Sequence, residues 1–328
     1  MLVIGIGLVI LILLYAVGPI PKDLHMDNKP KTLNYQLSDL DSIIDAHEIK
    51  IPYIKSGNQA EIIWADSAQG KTKYSLVYLH GFSASHEEGA PVHREIAKKY
   101  GMNLYLSRIS GHGTADPEPF ENLTVEDMVA SAKEAVAYGK LLGEKVILMS
   151  CSTGGTFSLY LAPKDPKIAG LILYSPNIDL YNNASELLTA PWGLEIARLI
   201  NDGNQRSFES DELIKKYWTT KYRLEGAVAL KHLLEVTMTE NLFQKITQPV
   251  FIGYYYKNEE EQDKVVSVKR ILEMSEQLGT DEKQKMIVAF ADVGAHGLNS
   301  KYRSQDLESV RNETINFLEK IMELTPIQ

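Results

Sequence analysis

Short continuous apolar runs alternate with longer amphipathic stretches over most of the chain, and the two periods predict different elements. Ser75 to Leu79, Asn103 to Arg108, Lys145 to Met149, Ile168 to Tyr174, Val250 to Tyr255 and Met286 to Phe290 are predicted strands. The later runs are apolar at nearly every position, as in strands buried on both faces of a parallel sheet. Glu48 to Tyr53 and Glu61 to Ala65 are read as two further strands ahead of them. Between the runs the period becomes helical. Thr124 to Leu142 opens with T-x-x-D, a weaker capping box, sets Val125, Met128, Val129, Ala132 and Val136 on one face, and stops at Gly143. From about Asp306, the positions Leu307, Val310, Thr314, Phe317, Ile321 and Leu324 make a stripe that can cover a sheet. The alternation implies an α/β protein with a mostly parallel central sheet flanked by helices. Residues 177–246 break the rhythm with helical patterns and no clear strand, and are read as an inserted helical cap.

The start of the chain follows neither pattern. Leu2 to Val17 is almost wholly aliphatic, and no Asp, Glu, Lys or Arg precedes Lys22. About 20 such residues suffice to span a bilayer core. Residues 1–21 are therefore expected to form an uncleaved transmembrane anchor, with 22–44 a Pro- and Lys-containing connector and 45–328 a single domain bearing the cap. The competing expectation is a signal peptide cut near Ala16 and Gly18, releasing a secreted protein; the missing charged n-region and Pro19 speak against it. Lys22, Lys29 and Lys31 are interspersed with Asp23 and Asp27, so the positive-inside rule gives little direction, and an exported domain is the expectation.

Charge and cysteine content exclude more than they assign. Thirty-four basic against 43 acidic side chains leave a net charge of −9, which argues against non-specific nucleic-acid binding. One cysteine can form no internal disulfide and no Cys-rich metal site.

Three constellations carry chemistry. Ser150-Cys151-Ser152-Thr153-Gly154-Gly155 lies between the apolar run ending at Met149 and a helix expected from Thr153. A strand-turn-helix setting with small residues two before and two after a serine is the context of a nucleophile elbow. His80-Gly81-Phe82 follows an earlier strand. An oxyanion needs two preorganised N–H donors, each worth about 3 kcal/mol, and these are expected from Phe82 and from Cys151 beside the serine. Serine also needs a base and an orienting acid. Of eight histidines, His296 in Gly294-Ala295-His296-Gly297 stands between the last strand and the last helix. His25 lies too near the apolar start, His47 precedes the sheet core, His86 and His93 are expected at the surface, and His232 belongs to the cap. The acid must follow the penultimate strand, where Asp263 is preferred over Glu259 to Glu261, with Asp179 a further alternative.

Taken together, H-G-F at 80–82, R-x-x-G-H-G at 108–113, S-x-S-x-G-G at 150–155, Ser175-Pro176, D-x-V-V at 263–266 and G-x-H at 294–296 resemble the α/β-hydrolase superfamily. Within it the chain resembles the monoacylglycerol lipase, lysophospholipase and serine aminopeptidase-like group. The resemblance implies Ser152 as nucleophile, His296 as base, Asp263 as its partner, Phe82 and Cys151 as oxyanion donors, and His112 as a structural or pocket-edge residue. It implies no metal or organic cofactor. One departure concerns the acid: the family usually sets it three residues after a glycine, whereas here Asp263 lies ten residues after Gly253, an implied insertion.

The expected activity is hydrolysis of a carboxylic ester, of monoacylglycerol or lysolipid type, through an acyl-enzyme. Leu187, Leu188, Trp192, Leu194, Ile196, Leu199, Phe208, Tyr217 and Trp218 could line an acyl pocket in the cap. Two alternatives stand beside it. An aminopeptidase would need a carboxylate for the substrate amine, from Glu186, Glu195, Glu209 or Glu225, and a catalytically silent anchored binding module would need none of this chemistry. The sequence leaves oligomeric state open.

Overall fold

In the computed structural model, which describes residues 13–27 and 29–327, a seven-stranded sheet forms the centre of the molecule. In chain order its surroundings are α1 (Leu40–Glu48), β1 (Glu61–Ile63), β2 (Thr72–Leu79), α2 (Val92–Lys99), β3 (Asn103–Leu106), α3 (Val125–Leu142), β4 (Gly143–Cys151), α4 (Thr153–Leu161) and β5 (Ile168–Tyr174). The cap follows, with α5 (Gly193–Ile200), β6 (Gln205–Ser207), α6 (Glu212–Tyr217), β7 (Lys221–Arg223), α7 (Leu224–Thr237) and α8 (Glu240–Phe243). The chain then returns to the sheet through β8 (Val250–Tyr255), α9 (Val268–Gln277), β9 (Lys285–Phe290) and α10 (Leu307–Lys320).

Strand order is β1-β3-β2-β4-β5-β8-β9, parallel throughout except for β1, which pairs antiparallel with β3. Alternate residues of the central strands feed two separate cores. Val77, Leu79, Val146, Leu148, Leu171 and Leu173 pack with α3 and α4, whereas Leu76, Tyr78, Ile147, Met149, Ile172 and Tyr174 pack with α2 and α10. A strand covered on both faces must be apolar at both parities, which is why these runs lack polar positions. The side chain of Thr124 caps α3 by accepting the Asp127 N–H, and α10 buries Val310, Thr314 and Phe317.

Three expectations change here. Glu48 to Tyr53 is no strand: α1 runs to Glu48 and turns follow, leaving Ile49 85% exposed. Glu48 is instead drawn inward, where its carboxylate takes the Arg108 guanidinium at 2.6 and 2.9 Å. Leu40 and Ile44 of α1 lie in the core, so the packed unit begins ahead of residue 45. The cap contains one two-stranded ribbon, β6 with β7, whose mainly polar three-residue strands carry no apolar signature.

The expected anchor falls mostly on residues 1–12, outside the described residues; among the described residues no helix is long and apolar enough to cross a membrane.

Candidate active site

Parallel strands deliver their following loops to one edge of the sheet, and the expected site residues lie on the loops after β2, β4, β8 and β9. Ser152 occupies the single residue between β4 and α4, with φ 54° and ψ −121°. This is a left-handed backbone that a non-glycine residue enters only when its surroundings enforce it. They do so on several sides. The Ser152 N–H donates to the Tyr174 carbonyl at 2.9 Å, and its own carbonyl accepts N–H groups from Gly155 and Asn177. A Cβ on Gly154 would stand 1.9 Å from the Leu79 carbonyl oxygen, and one on Gly155 would stand 2.7 Å from Pro176. Both glycines are thus requirements of the turn. Ser150, where a glycine is common, fits as a fully buried side chain bonded to Ser158.

Asp263 and His296 meet directly. His296 Nδ1 donates to Asp263 Oδ2 at 2.6 Å, and Asp263 Oδ1 accepts the Val265 and Val266 N–H groups at 2.9 and 3.1 Å. Burial opposes ionisation of Asp263, but the His296 charge and these hydrogen bonds outweigh it and lower the carboxyl below its ordinary value. Burial likewise disfavours imidazolium, yet the Asp263 carboxylate, with help from Glu88, raises His296 above the usual histidine value. His296 Nε2 is buried with no protein partner, so the nitrogen opposite the carboxylate is left for a reacting group. Three of the four alternative acids are engaged elsewhere. Asp179 pairs with Lys231 at 3.0 Å, Glu261 with Lys257, and Glu259 with the Tyr256 hydroxyl.

The H-G-F loop lies against the serine: a Cβ on Gly81 would sit 3.1 Å from Ser152 Cβ. His80 ties this loop to the R-x-x-G-H-G loop. Its Nδ1 donates to the Gly81 carbonyl and its Nε2 accepts the Ile109 N–H, a neutral tautomer that burial, and then the neighbouring His112, enforces by holding the pKa well below normal. Burial also holds His112 down at about 4, and its ring packs 5.4 Å from that of Phe82.

The oxyanion expectation for Cys151 needs correction. Cys151 is the last residue of β4, in register with Tyr174, and precedes the serine. The first N–H of the helix after the turn belongs to Thr153, and helix-start amides have no intrahelical acceptor. Among the described residues, no protein acceptor is paired with the Thr153 or the Phe82 amide. The Cys151 thiol is pushed up by burial and then by Glu88 and Asp263, so it stays protonated.

His86 and His93, expected at the surface, are buried: His86 Nε2 bonds the Gln59 carbonyl and His93 Nε2 the His86 carbonyl. Sequence reasoning also passed over Glu88, which is 4% exposed and whose carboxylate takes the Gly81 N–H at 2.8 Å. Nothing in H-E-E-G marks which of its two glutamates turns inward. In the cap, Trp218 is buried against Ile214 and Ala84, whereas Leu199 is 82% exposed.

A cleft of about 430 Å³ lies elsewhere, between α1, α3 and the loop after β3, with Glu48, Arg108, Tyr105 and Tyr138 in its wall. None of Ser152, Asp263 and His296 lines it. Among the described residues no cluster of three or more His, Cys, Asp or Glu converges as a metal site.

Comparison with known proteins gives the family and the fold. Residues 70–289 match the family described as "Serine aminopeptidase, S33". A thermostable monoacylglycerol lipase of Bacillus sp. (strain H-257) is 32% identical over 105 residues, which are 32% of this chain and 41% of the relative. The match thus spans about two fifths of that relative's length. Among solved structures, one of the metagenome-derived lipolytic enzymes LipS and LipT superposes with a TM-score of 0.64 at 17% identity, covering 81% of this chain and 99% of its own. The monoacylglycerol lipase of Paleococcus ferrophilus gives 0.58 at 15% identity over 79% and 97%. Est1E from Butyrivibrio proteoclasticus, bound to ferulic acid, gives 0.55 at 18% over 83% and 100%. These structures share the fold, and the family match over most of the sheet-forming chain makes this protein an α/β-hydrolase enzyme of the serine aminopeptidase S33 family.

Proposed function

We propose that the protein is a serine hydrolase that cleaves carboxylic esters through Ser152, His296 and Asp263. The observation that carries this reading is the 2.6 Å Asp263–His296 contact with His296 Nε2 left unpartnered, at the sheet edge that also presents the strained Ser152. In the first step His296 Nε2 takes the Ser152 hydroxyl proton as Oγ bonds to the substrate carbonyl carbon. The carbonyl oxygen becomes an oxyanion, for which the Phe82 and Thr153 amides are the donors. His296 returns the proton to the leaving alcohol as the ester bond breaks, and water releases the acyl group by the same route.

An ester of monoacylglycerol or lysolipid type is the substrate class we favour, supported by the lipase named among the relatives and by the apolar side chains of the cap. An aminopeptidase is the second reading, supported by the family's description and by Glu195 in α5, whose Oε2 is buried without a partner. Glu186 and Glu225 are already spent on Lys231 and on Arg198 with Arg223. A panel of glycerol and p-nitrophenyl esters of rising chain length, run beside aminoacyl amides, separates the two: kcat/KM highest on medium or long acyl esters supports the ester reading, and preference for aminoacyl amides overturns it. We further propose that the charge-free start of the chain tethers the enzyme to a membrane, with the catalytic domain on the exported side.

A further inference from the structure

The proton-transfer scheme leaves one buried acid beside the nucleophile without a task. Glu88 lies in a short 3-10 turn (His86–Gly89) after the H-G-F loop, and its neighbour Glu87 faces the other way, onto Lys301, Tyr302 and Arg94. Glu88 Oε2 takes the Gly81 N–H at 2.8 Å and the Tyr78 hydroxyl at 3.3 Å; Asn299 Nδ2 donates to Tyr78 Oη from behind at 3.1 Å. After burial, the same carboxyl helps to raise the Cys151 thiol above its ordinary value. A Cβ built on Gly81 would lie 3.0 Å from Glu88 Oε1 and 3.1 Å from Ser152 Cβ, so one glycine separates this carboxylate from the nucleophile. A carboxylate is buried only at a cost that donors must offset, and here the donors belong to the oxyanion loop and the strand beneath it.

We propose that Glu88 is a positioning residue of this site, holding the loop that carries the Phe82 amide against Ser152 and adding a second negative charge to the surroundings of His296. Two consequences follow from the placement. Gly81 is the residue before Phe82, so anchoring its N–H restricts the peptide that bears the oxyanion donor. Glu88 and Asp263 both favour the imidazolium, with Arg303 opposing them. Burial pushes the Glu88 carboxyl up, and the Gly81 amide, His296, Tyr78 and Arg303 work against that rise.

The proposal rests on the serine-hydrolase reading, and the test keeps the two apart. Wild type, Glu88→Gln and Glu88→Ala are compared on a p-nitrophenyl ester across pH, after wild type has been reacted with a fluorophosphonate probe. Glu88→Ala should lower kcat about 10- to 100-fold with KM within about threefold, because a misplaced oxyanion donor weakens the transition state more than the ground state. Glu88→Gln keeps an oxygen for the Gly81 N–H and should recover kcat to within about fivefold of wild type. Its acidic limb of kcat/KM should nevertheless move to lower pH, since loss of a negative charge lowers the His296 pKa. A Glu88→Ala rate within about twofold of wild type, or an unmoved acidic limb in Glu88→Gln, overturns the proposal. If Glu88→Ala does not fold, the Gln variant decides by its pH profile alone. Failure of wild type to react with the probe removes the serine-hydrolase reading and this proposal together; a reactive wild type with indifferent Glu88 variants removes only the proposal.

Discussion

The sheet edge and the cap of this hydrolase are held by different forces. At the edge, backbone contacts leave no slack: Gly154 lies against the Leu79 carbonyl, the Ser152 N–H is taken by Tyr174, and Asp263 is 1% exposed. The cap is held through side chains: Leu233, Leu234, Met238, Phe243 and Ile246 pack into the core shared with α3 and α4, and polar ties add to them. Lys231 of α7 reaches Asp179, just after β5, and Glu186, while Lys55 Nζ donates to the Lys215 and Trp218 carbonyls. Rings of Phe82 and Tyr222 meet at 5.5 Å, and the end of α5 leaves Leu199 and Ile200 exposed. The contrast teaches where variation is tolerated. Reaction geometry sits on backbone that a single methyl group would disturb, whereas the region expected to choose the substrate hangs on replaceable side chains.

The largest effect that would sharpen this contrast comes from Asp263→Asn, for which kcat should fall roughly 10⁴-fold, since the base loses the group that orients it. Its pH profile carries a sign. His296 is raised in the folded protein and acts as base only when neutral, so the wild-type acidic limb should centre above about 6.5. Without the carboxylate the limb should move to lower pH in any residual activity. The same linkage acts on stability: the lowered Asp263 contributes above its unfolded pKa and loses that contribution as pH falls through its folded value.

Next in size, Gly154→Ala would press a methyl group onto the Leu79 carbonyl, and urea unfolding should show a loss of about 3 kcal/mol or more. A variant that unfolds like wild type would show that the elbow has room to spare. The smallest effect is expected from Lys231→Met. The replacement fills a similar volume, so kcat on a short acetyl ester should stay within about twofold, while KM for long-chain esters shifts by a few-fold. Equal losses on short and long esters would erase the division between edge and cap.

How much could be read from the chain follows the same line. Strands β5 and β8 were legible to the residue, because a strand buried on both faces admits only apolar side chains and ends where they end. The placement of Ser152, Asp263 and His296 on a strained turn and two strand-end loops was legible from the order of strands and loops along the chain. Asp263 alone among the weighed acids touches His296, which only the folded loop reveals. The rest was hidden by tertiary contact. Glu48 to Tyr53 has strand-like alternation, but Arg108, 60 positions away, draws Glu48 into the end of a helix. His86 and His93 look hydrophilic in a loop and are buried because backbone carbonyls satisfy them. Glu88 shares its sequence setting with the outward-facing Glu87, so burial could not be assigned.

The central claim, that Ser152 is the nucleophile, is tested most directly by reacting the folded protein with a fluorophosphonate and locating the adduct by peptide mass spectrometry. The account predicts a stoichiometric phosphonyl adduct on Ser152, none on Cys151, and loss of both labelling and ester turnover in a folded Ser152→Ala variant. An unlabelled wild-type protein, or a Ser152→Ala variant that keeps its esterase activity, would contradict it.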